Sequence, residues 1–184
     1  MTVLKLVPSN DPILKQKISN FDFDNPPVDP IQLANDLIET MIANKGLGLS
    51  ANQCGLPYRV FVMWSNPSLV CFNPKLVDTS SEQVLMDEGC LSYPGMFIKI
   101  KRAQLIKARY TDATGETHTS KFTGMSARVF QHEQDHLDGV NYHKRANLYH
   151  LQQAQRKRKK LANANFVDAG DRIGEILAQQ NINY

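Results

Sequence analysis

"QHEQDHL", residues 131–137, follows directly on "GMSARVF" (124–130) and carries His132, Glu133 and His136. Residues four apart on an α-helix lie on one face, a turn above each other. His132 and His136 can therefore hold one metal ion, with Glu133 beside them. Thr123 stands where an N-cap belongs and Gly139 where a helix can stop, so the spacing predicts a helix from about 123 to 137. Met125, Val129, His132, Glu133 and His136 step along it by three and four, and form its inward stripe. Two imidazoles and a carboxylate on that stripe need partners, because burying an unpaired polar group costs roughly several kcal/mol. Ordinary core hydrogen bonds are one way to meet that need; a metal ion meets it at once.

Working outward, "VDPIQLANDLIETMIANKG" (28–46) reads as a first helix. Asp29 is its cap, Pro30 fits its first turn, Gln32 sits three residues past the cap, and Ala34, Leu37, Ile38, Met41 and Ile42 keep a 3.6 period up to Gly46. Strand-like runs follow at 59–63, 69–74, 97–101, 104–112 and 117–122, punctuated by Pro, Asn, Gly and Asp. "DATGE" (112–116) between the last two reads as a hairpin loop. A further helix is predicted over 147–163, and "DRIGEILAQQ" (171–180) as a short helical turn. Helix, strands and helix in that order predict an α+β fold: mostly antiparallel β-sheets packed around the central metal-binding helix, with a C-terminal helix.

The 184 residues suit one domain with a real core, and 42% hydrophobic with 21% charged residues is ordinary for a soluble protein. We divide it into 1–146, carrying the chemistry, and 147–184, a helical extension of the same domain. No apolar run reaches the length of a membrane span, and the first residues read as no signal peptide. Cys54, Cys71 and Cys90 are odd in number and widely spaced, which suits a reducing cytoplasm better than a disulfide framework. A net charge of +3 does not argue for nucleic acid, but "RKRKK" (156–160) is a dense basic run.

A metal site needs at least a third protein ligand, and a catalytic one keeps a position open. His143 and His150 fall on a presumed outer helix, and His118 lies between threonines on a solvated strand face. Cys54 and Cys71 read as small hydrophobes. Cys90 lies in "DEGCLSYPG" (87–95), where Gly and Pro bend the backbone tightly. Spacing alone does not choose among these.

Three segments resemble a known family. "GLGLSANQ" (46–53), "EGCLS" (88–92) and "QHEQDHL" (131–137) look like the three motifs of the peptide deformylases, in order and similarly separated. The last two match without a change. In the first, Ser50 stands where the family usually has Ala, a small-for-small exchange expected to leave activity intact. The resemblance covers roughly residues 3 to 143, and the remainder follows no family pattern.

The resemblance implies Cys90, His132 and His136 as ligands of one divalent ion. That ion is iron(II) in the family, with Zn2+, Ni2+ or Co2+ as replacements on purification. It implies Glu133 as general base and acid, and Gln53 with the backbone N–H of Leu91 as oxyanion donors. Leu47, Gly48 and Gly89 would line the groove for an extended peptide, and Met125 and Val129 the pocket for a methionine side chain. The implied reaction removes the N-formyl group from N-formylmethionyl peptides and nascent chains in a bacterial-type cytoplasm, by a monomer. The basic C-terminal helix would bring ribosome contact through phosphate attraction. Among the residues themselves, Gly46, Gly48 and Gly89 are read as leaving room for a substrate strand. Glu88 is expected to be paired, with Arg102 as candidate partner. Asp135 is expected to serve as a structural hydrogen-bond partner.

Overall fold

In the computed structural model, which describes residues 2–163, α1 (Pro30–Ala43) leads into β1 (Gly48–Ser50), β2 (Val60–Met63), β3 (Leu69–Thr79), β4 (Gln83–Glu88), β5 (Ile98–Ala103), β6 (Leu105–Thr111) and β7 (Thr117–Thr123), followed by α2 (Gly124–Leu137) and α3 (Leu148–Asn163). All strand pairings are antiparallel: five strands form one sheet in the order β1-β2-β3-β6-β7, and β4 pairs with β5 in a second. The α+β architecture with a central helix is the one the pattern predicts. The tail segment "DRIGEILAQQ" lies outside the described residues.

Strand β2, "VFVM", explains how the layers assemble. Successive side chains of a strand point to opposite faces. Val60 and Val62 face a core built with Leu33, Leu37 and Met41 of α1. Phe61 and Met63 face a second core with Ala127, Phe130 and Leu137 of α2. All four are fully or almost fully buried, from 0% to 2% exposed. A strand covered on both faces reads as a continuous apolar run rather than an alternation. The two helices therefore lie on opposite faces of the large sheet.

Helix α2 is covered again on its far side by β5 and the turn at Tyr142–Arg145. From Phe130 to Leu137 every residue is buried. The stripe expected along one face is thus incomplete, because the helix is enclosed all round, and Gln131, Gln134 and Asp135 are inside as well. Helix α3 packs on β5, with Ala154 buried in a third core beside Met96, Ile98, Ile100 and Tyr142. No helix among the described residues is long and apolar enough to cross a membrane.

Local chemistry accounts for most element ends. The Asp29 carboxylate accepts from the N–H groups of Ile31 and Gln32 and starts α1. Its C-terminus departs from expectation. Lys45, at φ 53°, takes the left-handed position expected of Gly46. The N–H of Lys45 bonds Ile42 O and that of Gly46 bonds Met41 O, both at 2.9 Å, which is a Schellman closure. Thr123 does precede α2, but its hydroxyl caps nothing. "DATGE" forms the expected hairpin loop, closed by Asp112 N–H to Glu116 O at 2.9 Å. Two strands escape the sequence pattern: β1 is three residues long and begins on glycine, and β4 sets Val84, Leu85 and Met86 side by side. Strand β3 outruns its predicted end at Pro74, with register shifts that absorb Asn73 at φ 48°.

Arg59, 8% exposed, ties the end of α2 to the rest of the fold. Its guanidinium donates to the carbonyls of Ile18, Leu137 and Pro74 at 3.2, 3.1 and 3.4 Å, and to Asp138 Oδ1 at 2.8 Å. Arg59→Met leaves those acceptors short of donors. It is expected to cost about 2–4 kcal/mol, seen as a fall in Tm of about 5–10 °C. The exposed Lys15→Met serves as control and should leave Tm within about 1 °C.

Candidate metal centre

Cys90, His132 and His136 bring one ligand atom each within 4.8 Å of one another. Cys90 Sγ lies 3.2 Å from His136 Nε2. The i, i+4 spacing on α2 supplies the two imidazoles, and the bend after β4 carries the thiol to them. One sulfur and two ring nitrogens this close together form a donor set that a divalent ion accepts. The other candidate ligands stay apart. His118 Nε2 is 2.6 Å from Asp112 Oδ2 on the β6–β7 hairpin. His143 packs between the rings of Tyr93 and Tyr142. Cys71 is fully buried in β3. Asp112, Glu116 and His118 do cluster, but Asp112 Oδ1 is already taken by Thr114 and by the N–H of Glu116, which shapes the hairpin.

The ligands are held from behind by buried charges. Glu88, 5% exposed, lies at the end of β4. Arg102 grips its carboxylate with both arms, Nε to Oε1 at 2.9 Å and an Nη to Oε2 at 3.0 Å. Arg128 adds a contact to Oε1 at 2.6 Å, and His132 Nδ1 lies 3.1 Å from Oε2. A carboxylate on the second ring nitrogen orients a metal-binding histidine and leaves the first nitrogen free for the ion. Burial pushes the Glu88 carboxyl up, but the hydrogen bonds from His132 and Arg102 outweigh it and hold the pKa at about 2. Burial also disfavours a charged His132, yet its partners Cys90 and Glu88 lift its pKa well above the usual value. His136 moves the other way, lowered by burial and by the charges of His132 and Arg102.

The pairing of Glu88 with Arg102 and the structural place of Asp135 are as expected. Asp135 accepts from Arg102 at 2.6 Å and from Arg145 Nε at 3.0 Å. Arg128 was missed, because an arginine in a helix ordinarily signals a solvated face. It is 4% exposed and also donates to the carbonyls of Ile100 and Val84. Asn52 was missed too; its side-chain amide donates to His136 O at 2.7 Å and fixes the helix backbone at the ligand.

Glu133 and Gln53 border the same cavity as Cys90 and His132. Burial raises the Glu133 carboxyl's pKa, against the pull of His132 and of the Ser50 hydroxyl. Gln53 has a defined orientation. Its Oε1 accepts the N–H of Ser50 at 2.9 Å, so its NH2 end faces Ser92 Oγ at 3.0 Å and Cys90 Sγ at 3.7 Å. The cavity is lined by Leu47 and Gly48 on the β1 side and by Gly89 and Leu91 on the other, with Met125 and Val129 from α2. The glycines are crowded by the protein's own side chains. A Cβ on Gly46 would meet Leu91 Cδ1 at 2.8 Å, one on Gly48 would meet Glu133 Oε1 at 2.6 Å, and one on Gly89 would meet Phe97 at 2.6 Å. The room first assigned to a substrate strand is therefore used in part to seat the site itself.

The comparisons with known proteins identify the family. The family model of polypeptide deformylase matches residues 3–152. The chain belongs to the peptide deformylase family. Membership makes it an enzyme of the deformylase class. The peptide deformylase of Pseudothermotoga lettingae is 41% identical over 130 residues, which cover 71% of this chain and 75% of that protein. The peptide deformylase of Wolbachia pipientis is 34% identical over 175 residues, covering 88% and 97%. Among solved structures, a peptide deformylase from Synechococcus elongatus in complex with actinonin superposes with a TM-score of 0.76 at 31% identity, over 85% of this chain and 86% of that one.

Glu88→Gln removes the charge behind His132 while keeping the shape. It is expected to weaken divalent-metal affinity by roughly 10- to 100-fold, measured by competition with a chromophoric chelator. Unchanged affinity would show that Glu88 does not tune the ligand.

Proposed function

We propose that this deformylase is a metal-dependent hydrolase that removes the formyl group from N-formylmethionyl peptides and releases formate. The observation that carries this reading is the convergence of the Cys90 thiol with the His132 and His136 imidazoles, beside a cavity that the buried Glu133 carboxylate and the oriented Gln53 amide also line. Cys90, His132 and His136 would hold a single divalent ion. Iron(II) is the ion the resemblance implies, and the same donors accept zinc, nickel or cobalt. Such an ion supplies Lewis acidity and lowers the pKa of a water toward neutrality.

The chain's own residues do the rest. Glu133 takes a proton from the attacking water and returns it to the leaving amine nitrogen. Burial raises its pKa and so makes it a stronger base for the first of these tasks. Gln53 Nε2 and the Leu91 N–H donate to the oxyanion that forms on the formyl carbon, each such donor being worth about 3 kcal/mol. Leu47, Gly48 and Gly89 bind the peptide main chain as an added strand, which reads backbone and tolerates most side chains. Met125 and Val129 receive the methionine side chain.

The natural substrates would be nascent chains in a bacterial-type cytoplasm, met by a monomer. Residues 156–160 would attract ribosomal RNA. Arg156, Lys157, Lys159 and Lys160 are exposed on α3 while Ala154 of the same helix is buried. The charges can thus be changed without removing the packing. Replacing these four by Gln is expected to reduce co-sedimentation with ribosomes at low salt and to leave formyl-peptide turnover intact. Equal sedimentation of both forms removes the RNA contact.

The deciding experiment is formate release from a formyl-Met tripeptide by anaerobically purified protein, with metal measured on the same sample. The expected result is turnover with about one ion per chain, and no cleavage of the unblocked peptide. Glu133→Ala is expected to retain the ion and lose about a thousandfold or more in kcat. Near-normal turnover in that variant would remove Glu133 from the mechanism.

A further inference from the structure

We infer that Ser50 is a positioning residue for the catalytic carboxylate, its hydroxyl fixing which oxygen of Glu133 faces the substrate. The inference rests on the role proposed for Glu133 and adds a residue that the sequence marks only as a departure from the family's alanine. Ser50 Oγ donates to Glu133 Oε2 at 2.7 Å, and lies 3.2 Å from Glu133 O. Ser50 is fully buried, so no solvent competes for that hydroxyl.

The arrangement follows from strand geometry. Side chains two apart on a strand share a face. Gly48 and Ser50 of β1 both turn toward α2, while Leu49 between them enters the core shared with α1. A Cβ at Gly48 would lie 2.6 Å from Glu133 Oε1. One carboxylate oxygen is therefore seated against bare backbone at Gly48, beside the cavity, and the other is tied to Ser50. Carboxylate oxygens are otherwise equivalent and the side chain's last torsion is soft. A donor on Oε2 alone breaks that equivalence and presents Oε1 to the proton. The N–H of the same serine holds Gln53 Oε1, so one residue orients both the base and the oxyanion donor. Alanine at this position would keep the second task and lose the first.

The test separates the two. In Ser50→Ala the backbone N–H that holds Gln53 Oε1 is kept, while the hydroxyl's capping contact with the Gln53 backbone is lost together with its bond to Glu133. With a formyl-Met tripeptide and metal-loaded protein, kcat is expected to fall about tenfold while KM and metal content stay within twofold. That loss is in line with a hydrogen bond to a charged group. A thermal cycle gives a readout without turnover. Ser50→Ala is expected to lower Tm by about 4 °C alone and by about 1 °C or less in the Glu133→Ala background. A kcat within twofold of the parent, a loss confined to KM, or equal Tm shifts in both backgrounds would overturn the inference. If the parent protein releases no formate, the proposed function fails. The thermal cycle then still decides whether Ser50 and Glu133 are coupled.

Discussion

The rest of the structure depends on one buried carboxylate. Taking Glu88 out of water costs several kcal/mol, by rough Born reasoning tempered for real interiors. Such a charge is tolerated only when its acceptor sites are filled. Here they are filled by Arg102 from β5, and by Arg128 and His132 from α2. The carboxylate thus joins the small sheet to the central helix. It does so at the level of the candidate metal ligands, since Cys90 follows it by two residues and His132 touches it. Asp135 on the same helix engages Arg102 again from one turn further on. Two carboxylates and two arginines then leave the helix little freedom to rotate or slide without stranding a charge. The same buried charges stabilise the fold and position His132.

That constraint works because α2 is enclosed. An amphipathic helix on a surface needs one apolar stripe; a helix between two sheets must satisfy every direction. On the large-sheet side the solution is apolar, with Phe130 against Phe61 at a ring separation of 5.0 Å in an edge-on contact. On the small-sheet side it is ionic. The cavity opens at the remaining side, where β1 is an edge strand of the large sheet and the bend after β4 faces it. An edge strand offers unpaired backbone groups to a peptide, and the serine and glycine of that strand hold the carboxylate beneath. In the proposed mechanism, Gly48 and Ser50 of this one short strand serve the peptide and the carboxylate together.

The chemistry was legible early for a simple reason. Ligands placed four apart on a helix appear in the sequence with that spacing, whatever the rest of the fold does. Helix α1, with its Asp29 cap, and the strand runs around 59–63 and 104–122 were legible on the same ground: each is set by neighbours along the chain. The misses share the opposite property. Strand β1 has too few residues to show a period. Gly46 was assigned to the helix stop, yet Lys45 takes the left-handed turn, and a Cβ at Gly46 would meet Leu91, forty-five residues on, at 2.8 Å. Ser50 looked neutral as a small residue replacing a small residue. Its hydroxyl acquires meaning only when Glu133 comes within 2.7 Å.

By itself the sequence determined the fold class, the family and the two histidines with their glutamate, because these rest on short-range periodicity and on three motifs in order. The same motifs singled out Cys90, whereas the burial of Arg128 and the tying of one Glu133 oxygen to Ser50 were decided only by the tertiary structure. Each depends on the separation and orientation of groups tens of residues apart, and desolvation gives such contacts their energy only after the chain has closed around them.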